Sequence, residues 1–269
     1  MIILLILPAI YGWDYFNQGN DWVGTCASGL NQSPINFNSS VVKEIKYFEP
    51  DHMELKFLFN SARLHSEVTN SSYVVSGDLG FLTIYRHRRP WLENIKLLKL
   101  HFHSPAENQV TGEIFDLEMH IVMQDPQNQF TFVVFGVFFK IGSKQNVLIQ
   151  KVINEYSKDF DYSLEDAFPS STIPNFYSFE GSLTTPPCSE NVFWLLDESL
   201  QEITTQQFEV FNNLWKGNKT FANGLGNNRK IQDSNNRVVN HYHKKEGYSV
   251  IYSFLKIIPI GFIIWLGIN

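Results

Sequence analysis

Residues Ile95–Met123 read IKLLKLHFHSPAENQVTGEIFDLEMHIVM, and this stretch decides the fold. An apolar run from Ile95 to His103, a polar segment turning around Gly112, and a second apolar run from Phe115 to Met123 predict two strands that fold back antiparallel. Side chains two apart share a face of a strand, so His101 and His103 project together, and Glu118 shares the face of His120. Antiparallel return places His120 beside the first two. Three imidazoles converging from neighbouring strands form a three-nitrogen site with one tetrahedral position open, the arrangement of a catalytic zinc site. An imidazole without a partner in so apolar a setting costs free energy, so these histidines call for a ligand or a bond. The other close pair, His241 and His243, lies in the polar stretch Asn240–Gly247 with no third partner in sight and reads as spacer.

Further strands are expected at ELKFLF, YVVSG, FLTIY and FTFVVFGVFFKIG, with turns at GDLG and QDPQNQ. Helical periodicity is confined to VLIQKVINEYSKDF and TTQQFEVFNNLWK, the latter with Thr204 or Thr205 as N-cap. No repeat, linker or compositional shift marks a boundary. The expectation is one mostly-β domain over residues 13–240, with a few short helices at the edges of a large twisted, mainly antiparallel sheet. Composition agrees: 43% of the 269 residues are hydrophobic and 18% charged, which supports a sizeable core. A net charge of −6 gives no basic face for nucleic acid. The basic run Arg86–Pro90, RHRRP, reads as a solvated loop.

Both ends are apolar. Residues 1–12 have the length of a signal-peptide core without the usual preceding cation, or else form a buried first strand. Residues 250–269, after the spacer 241–249, are long enough to cross a bilayer and read either as a GPI-attachment signal or as a retained anchor. The expected location is the secretory pathway, on an extracellular or lumenal membrane face. Two cysteines, Cys26 and Cys188, read as one long-range disulfide in an exported chain, or as two thiols in a reducing compartment. Sequons begin at Asn31, Asn38, Asn70 and Asn218.

Four motifs in order, NQSPINF (31–37), HFHSPAEN with LEMH (101–108, 117–120), GSLTTPPCSENVFW (181–194) and NNRKIQ (227–232), make the chain resemble the α-class carbonic anhydrases over residues 26 to 232 or so. The resemblance implies a conical cavity with Zn2+ at its base, held by His101, His103 and His120. It implies attack of a zinc-bound hydroxide on CO2 to give bicarbonate and a proton. It assigns Thr184 to accept a hydrogen bond from that hydroxide and to pass its own proton to Glu107. Glu118 would hold one ligand imidazole in its tautomer, Thr185 would place the product, and Val122, Val134, Leu183 and Trp194 would form the apolar wall for CO2. It also strengthens the Cys26–Cys188 pairing, which exported members often carry.

Three positions depart from the family pattern. Ala62 stands where the usual proton-shuttling histidine is expected; His65, three residues on, is either a substitute shuttle or a surface histidine. Asn108 replaces a histidine beside Glu107, which is expected to loosen that glutamate. Lys99 replaces the acceptor that orients the first ligand, and an ammonium cannot accept a proton, so the orienting group must lie elsewhere, for instance on a backbone carbonyl. The alternative function is a catalytically silent relative used for binding or assembly; retention of all three histidines with Thr184 and Glu107 favours the enzyme. No helical H-E-x-x-H supports another type of zinc hydrolase.

Overall fold

The computed structural model describes residues 12–243 apart from 39, 48, 70 and 169–171. The signal-like segment up to residue 11 and the apolar tail lie outside the described residues. Among those described, no helix is long and apolar enough to cross a membrane.

One large mixed sheet organises the chain. Its ten-strand path uses β1 (Val42–Ile45), β2 (Ala62–Val68), β3 (Tyr73–Gly77), β4 (Arg89–His103), β5 (Leu117–Gln124), β6 (Phe132–Ile141), β7 (Asp159–Tyr162), β8 (Phe176–Ser182), β9 (Glu190–Asp197) and β10 (Val239–Tyr242). Their spatial order is β7-β2-β3-β4-β5-β6-β9-β8-β10-β1. The pairings along it are antiparallel except β6 with β9 and β10 with β1. The strand Gly80–Arg86 flanks the first half of β4, and Met53–Phe59 flanks that strand in turn. The two expected helices are α1 (Val147–Asn154) and α2 (Thr205–Leu214). Thr204 caps α2 in a reciprocal box with Gln207, satisfying two backbone donors that would otherwise be orphaned. The first helix stops at Asn154, because residues from Asp159 leave to form β7.

Strand β5 sits in mid-sheet with both faces covered. Leu117, Met119, Ile121 and Met123 enter the main hydrophobic core, while Val122 joins a second cluster with Val134, Phe138, Trp194 and Leu196. The same second face carries Glu118 and His120. Strand β4 reaches this face through a β-bulge: Leu97 pairs with Met123 but Lys99 with Val122, leaving Leu98 as the extra residue. Leu97 and Leu100 stay in the core on either side of it. Were the strand regular through Leu98, with no bulge there, His101 and His103 would share the core face of Leu97.

The basic run is a tight hairpin. His87 and Arg88 both take positive φ and join Gly80–Arg86 to β4, the backbone shape that matches strand twist. Arg86 lays its guanidinium over Trp91, 4.4 Å from the ring centre. Toward the end of the described residues, β10 runs through Tyr242, so His241 and Tyr242 belong to the sheet and not to the spacer expected from residue 241.

Cys26 and Cys188 form a disulfide across 162 positions, in a small cluster with Tyr15 and Trp22. Closing so long a loop removes much of the unfolded chain's freedom. Replacing both cysteines with serine is therefore expected to lower unfolding free energy by about 3–5 kcal/mol in urea titration; a loss below about 1 kcal/mol would contradict this.

Candidate metal centre

His101 of β4 lies directly opposite His120 of β5, and His103 opposite Glu118. Each of the three histidines offers one ring nitrogen, and these atoms all lie within 4.8 Å of one another. His103 and His120 are 1% exposed, so their rings are almost shut off from bulk solvent. Burial holds all three imidazoles below their ordinary value, His101 and His120 well below it, and their mutual proximity adds to the effect on those two. The rings are thus neutral at physiological pH, with lone pairs free to bind a cation.

Each ring is held differently. His103 Nδ1 bonds the backbone carbonyl of Asn227 at 2.8 Å, which turns Nε2 inward, where it is buried without a hydrogen bond. His120 Nε2 bonds Glu118 Oε1 at 2.8 Å, leaving Nδ1 for the centre. Glu118 is itself held by the backbone N–H groups of Glu107 and Asn108 and by the Asn108 amide, at 2.7, 2.9 and 2.8 Å. Asn108 therefore braces the carboxylate behind His120. His101 has no such support: its Nδ1 is buried with no hydrogen bond among the described residues, and no backbone carbonyl replaces the acceptor missing at Lys99. Lys99→Gln, which puts a carbonyl two residues away on the same strand face, is expected to raise zinc affinity about tenfold in competition with a chromophoric chelator. Unchanged or weaker binding would show that His101 needs no acceptor.

Glu107 is buried behind the triad. Its Oε1 accepts the Arg229 backbone N–H at 2.8 Å. Its Oε2 stands 3.4 Å from His103 Nε2 and 4.0 Å from His120 Nδ1 and closes no well-formed hydrogen bond. Burial pushes this carboxyl up to about 8, against the pull of the Arg229 N–H and the Thr184 hydroxyl.

These residues sit at the base of a cavity of about 660 Å³, lined by the three histidines, Thr184, Thr185 and an apolar side of Val122, Val134, Leu183 and Trp194. Trp194 also packs edge-on against His120, with ring centres 4.9 Å apart, and donates its indole N–H to the Ser182 carbonyl at 3.0 Å. The sequence pattern of the eukaryotic-type carbonic anhydrases matches residues 17–243. The chain belongs to this family.

Relatives bear out the assignment. A carbonic anhydrase of Neisseria gonorrhoeae is 31% identical over 219 residues, 80% of this chain and 78% of the relative. Dioscorin dioA3 of Dioscorea japonica is 27% identical over 242 residues, 85% of this chain and 82% of that one. The α-carbonic anhydrase of Thermovibrio ammonificans, solved with the inhibitor sulfanilamide, superposes with a TM-score of 0.64 at 28% identity, covering 80% of this chain and 89% of that one.

Not every expected residue joins the carbonic anhydrase cavity. His65 lies on the cavity side of the sheet, in the cross-strand row His65–Ser76–Lys99, yet it is exposed and does not line the cavity. Its Nδ1 is bound to Asp159 Oδ1 at 2.7 Å. Ala62, Arg63 and His65 lie in a regular strand, so no bend carries His65 inward.

Three residues do more than the motifs foretold. Asn227 binds the Ser104 N–H at 2.8 Å and the Phe102 and Ser71 carbonyls at 2.9 and 3.0 Å, so it fixes the end of β4 as well as the His103 ring. Arg229, fully buried, spends its guanidinium on Gln32, Ser33 and Cys26 and so ties the Glu107 support to the disulfide region. Gly226, at φ +103°, lets the backbone pass so close to Ser104 that an added Cβ would lie 2.3 Å from its carbonyl oxygen. A Gly–Asn–Asn–Arg run is the only trace these roles leave in sequence.

Proposed function

We propose that this carbonic anhydrase family member catalyses the reversible hydration of CO2 to bicarbonate with a zinc ion held by His101, His103 and His120. The observation that carries the reading is the triad itself: three buried, neutral imidazoles, two with their outer nitrogens already engaged, converging at the base of a half-apolar cavity. The buried and unpartnered His103 Nε2 fits a metal ligand better than any proton-only arrangement. Zinc bound there supplies a Lewis acid that makes water acidic near neutrality, a property established for the family rather than read from this chain.

The protein's own residues do the rest. Asn227 and Glu118 hold two ligand rings in one tautomer each. Thr184 gives its proton to Glu107 and turns its lone pairs toward the cavity, where they accept from the attacking oxygen and aim it. Val122, Val134, Leu183 and Trp194 offer CO2 an apolar seat without competing hydrogen bonds, and Thr185 places the product. His65, bound to Asp159 outside the cavity, is not set up to relay the released proton, which therefore leaves to buffer.

We further infer an exported, glycosylated protein attached to a membrane face through its C-terminal tail. The apolar ends and the Cys26–Cys188 disulfide, a bond that persists in oxidising compartments, support this. The test is CO2 hydration by the zinc-loaded chain at low and high buffer concentration, beside His120→Ala. A rate that climbs with buffer and is absent from the variant is the expected result. Equal, near-background rates in both would leave a silent binding module, a reading for which a relative bearing another name gives room.

A further inference from the structure

At the far edge of the sheet from β7, the terminal strands β10 and β1 run parallel, with His241 directly opposite Glu44. Side chains opposite one another share a face, and His243, two residues beyond His241, returns to it. Three ligand-type groups thus meet where two chain-distant edge strands are zipped together.

Their geometry is that of a site, not of a loose surface pair. His241 Nδ1 stands 3.2 Å from Glu44 Oε2. His243 Nε2 makes a short contact with the same oxygen. The two imidazole centres are 3.7 Å apart, and one nitrogen from each ring and a Glu44 oxygen all lie within 4.8 Å of one another. The His241 side chain is only 7% exposed. Its ring stacks on Tyr177 at 4.0 Å, which fixes its plane. Its other nitrogen, Nε2, is buried 3.4 Å from Glu198 Oε1 without a well-formed hydrogen bond. A carboxylate beside one ring nitrogen, with the other aimed at a cluster of donors, favours the tautomer that a metal-binding histidine uses.

We propose that His241 Nδ1, His243 Nε2 and the Glu44 carboxylate form a second binding site for a divalent cation of the zinc and nickel class. Two imidazoles and one carboxylate suit such ions and leave outer positions for water. The two half-exposed ligands, Glu44 and His243, give an ion access from solvent, and bound there it clasps β10 to β1 at the edge of the sheet. Neither the triad nor the proposed hydration reaction enters this argument.

The test is zinc stoichiometry on the full chain, prepared without a histidine tag, loaded with excess zinc and dialysed. Elemental analysis is expected to give about two equivalents in the unaltered chain and about one in His243→Ala or Glu44→Gln. A His103→Ala/His120→Ala variant should keep about one equivalent, lost on adding His243→Ala, and zinc should raise its melting temperature. Should the double variant fail to fold, the comparison of the unaltered chain with His243→Ala decides alone, since that side chain is 41% exposed and its loss leaves the sheet intact. About one equivalent in the unaltered chain, or about two in both it and His243→Ala, overturns the proposal.

Discussion

Glu107→Gln is expected to lower CO2 hydration by about 100-fold while zinc content stays unchanged. The reason lies in donor counting. The Arg229 N–H occupies one oxygen of Glu107. With zinc's charge beside it the ionised form of Glu107 is favoured, and a carboxylate can only accept, so the hydroxyl of Thr184 must donate to it and keep its lone pairs for the cavity. Glutamine presents an NH2 group instead. Placed toward Thr184, it donates and turns the threonine proton into the cavity; flipped, it sets N–H against the Arg229 N–H. The first orientation loses the acceptor that aims the attacking oxygen, and the second keeps it only by setting two buried donors against each other. Glu107 is not a ligand, so metal content separates this effect from loss of zinc. A glutamine variant with full rate would remove Glu107 from the reaction.

The metal-stripped protein is expected to lose stability steeply on acidification. Three histidines have folded values depressed below the ordinary imidazole by burial. Their stabilising effect is present above about pH 6.5, where the unfolded chain also leaves them neutral, and fades as pH falls, because the unfolded state then binds protons the folded state refuses. Three protons give a slope of up to about 4 kcal/mol per pH unit. Glu107, raised to about 8, works in the opposite sense: its folded form holds a proton the unfolded form has lost, so stability declines with rising pH between about 4.5 and 8, by up to about 1.4 kcal/mol per unit. Glu118, raised by burial as well, acts in the same sense as Glu107, so from about pH 4.5 to 6.5 the histidines prevail by a net slope of about 1–3 kcal/mol per unit. Urea unfolding in chelator at pH 5, 6 and 7 measures it. A flat profile would show that the rings are not excluded from protonation in the fold.

Much of this architecture was legible beforehand because it rests on local periodicity. The strands at Met53–Phe59, Tyr73–Gly77 and Phe132–Ile141 follow runs of apolar or alternating residues, and α2 follows a helical repeat behind a capping threonine. The three histidines could be grouped because i, i+2 spacing on one strand and a turn to the next bring them together, and the family resemblance then marks them as candidate zinc ligands. The partner of Asn108 is not legible in sequence: it supports Glu118, ten positions on, and no spacing rule predicts which carboxylate an amide will reach. The His241–His243 pair was taken as spacer because its third partner, Glu44, is about two hundred positions earlier in the chain.

Residue order alone determined a mostly-β domain, its two principal helices and the identity of the triad, since hydrophobic period and strand parity act over a few neighbouring residues. Tertiary structure alone decided which face those histidines take, how they are held and what else gathers around them. The bulge at Leu98 sets their face by adding one residue against a partner strand. Asn227 and Arg229 arrive from more than a hundred positions away to orient His103 and Glu107. His65 is drawn off by Asp159 on a neighbouring strand. Each of these is a pairing between distant segments, and its energy exists only once the sheet has brought them together.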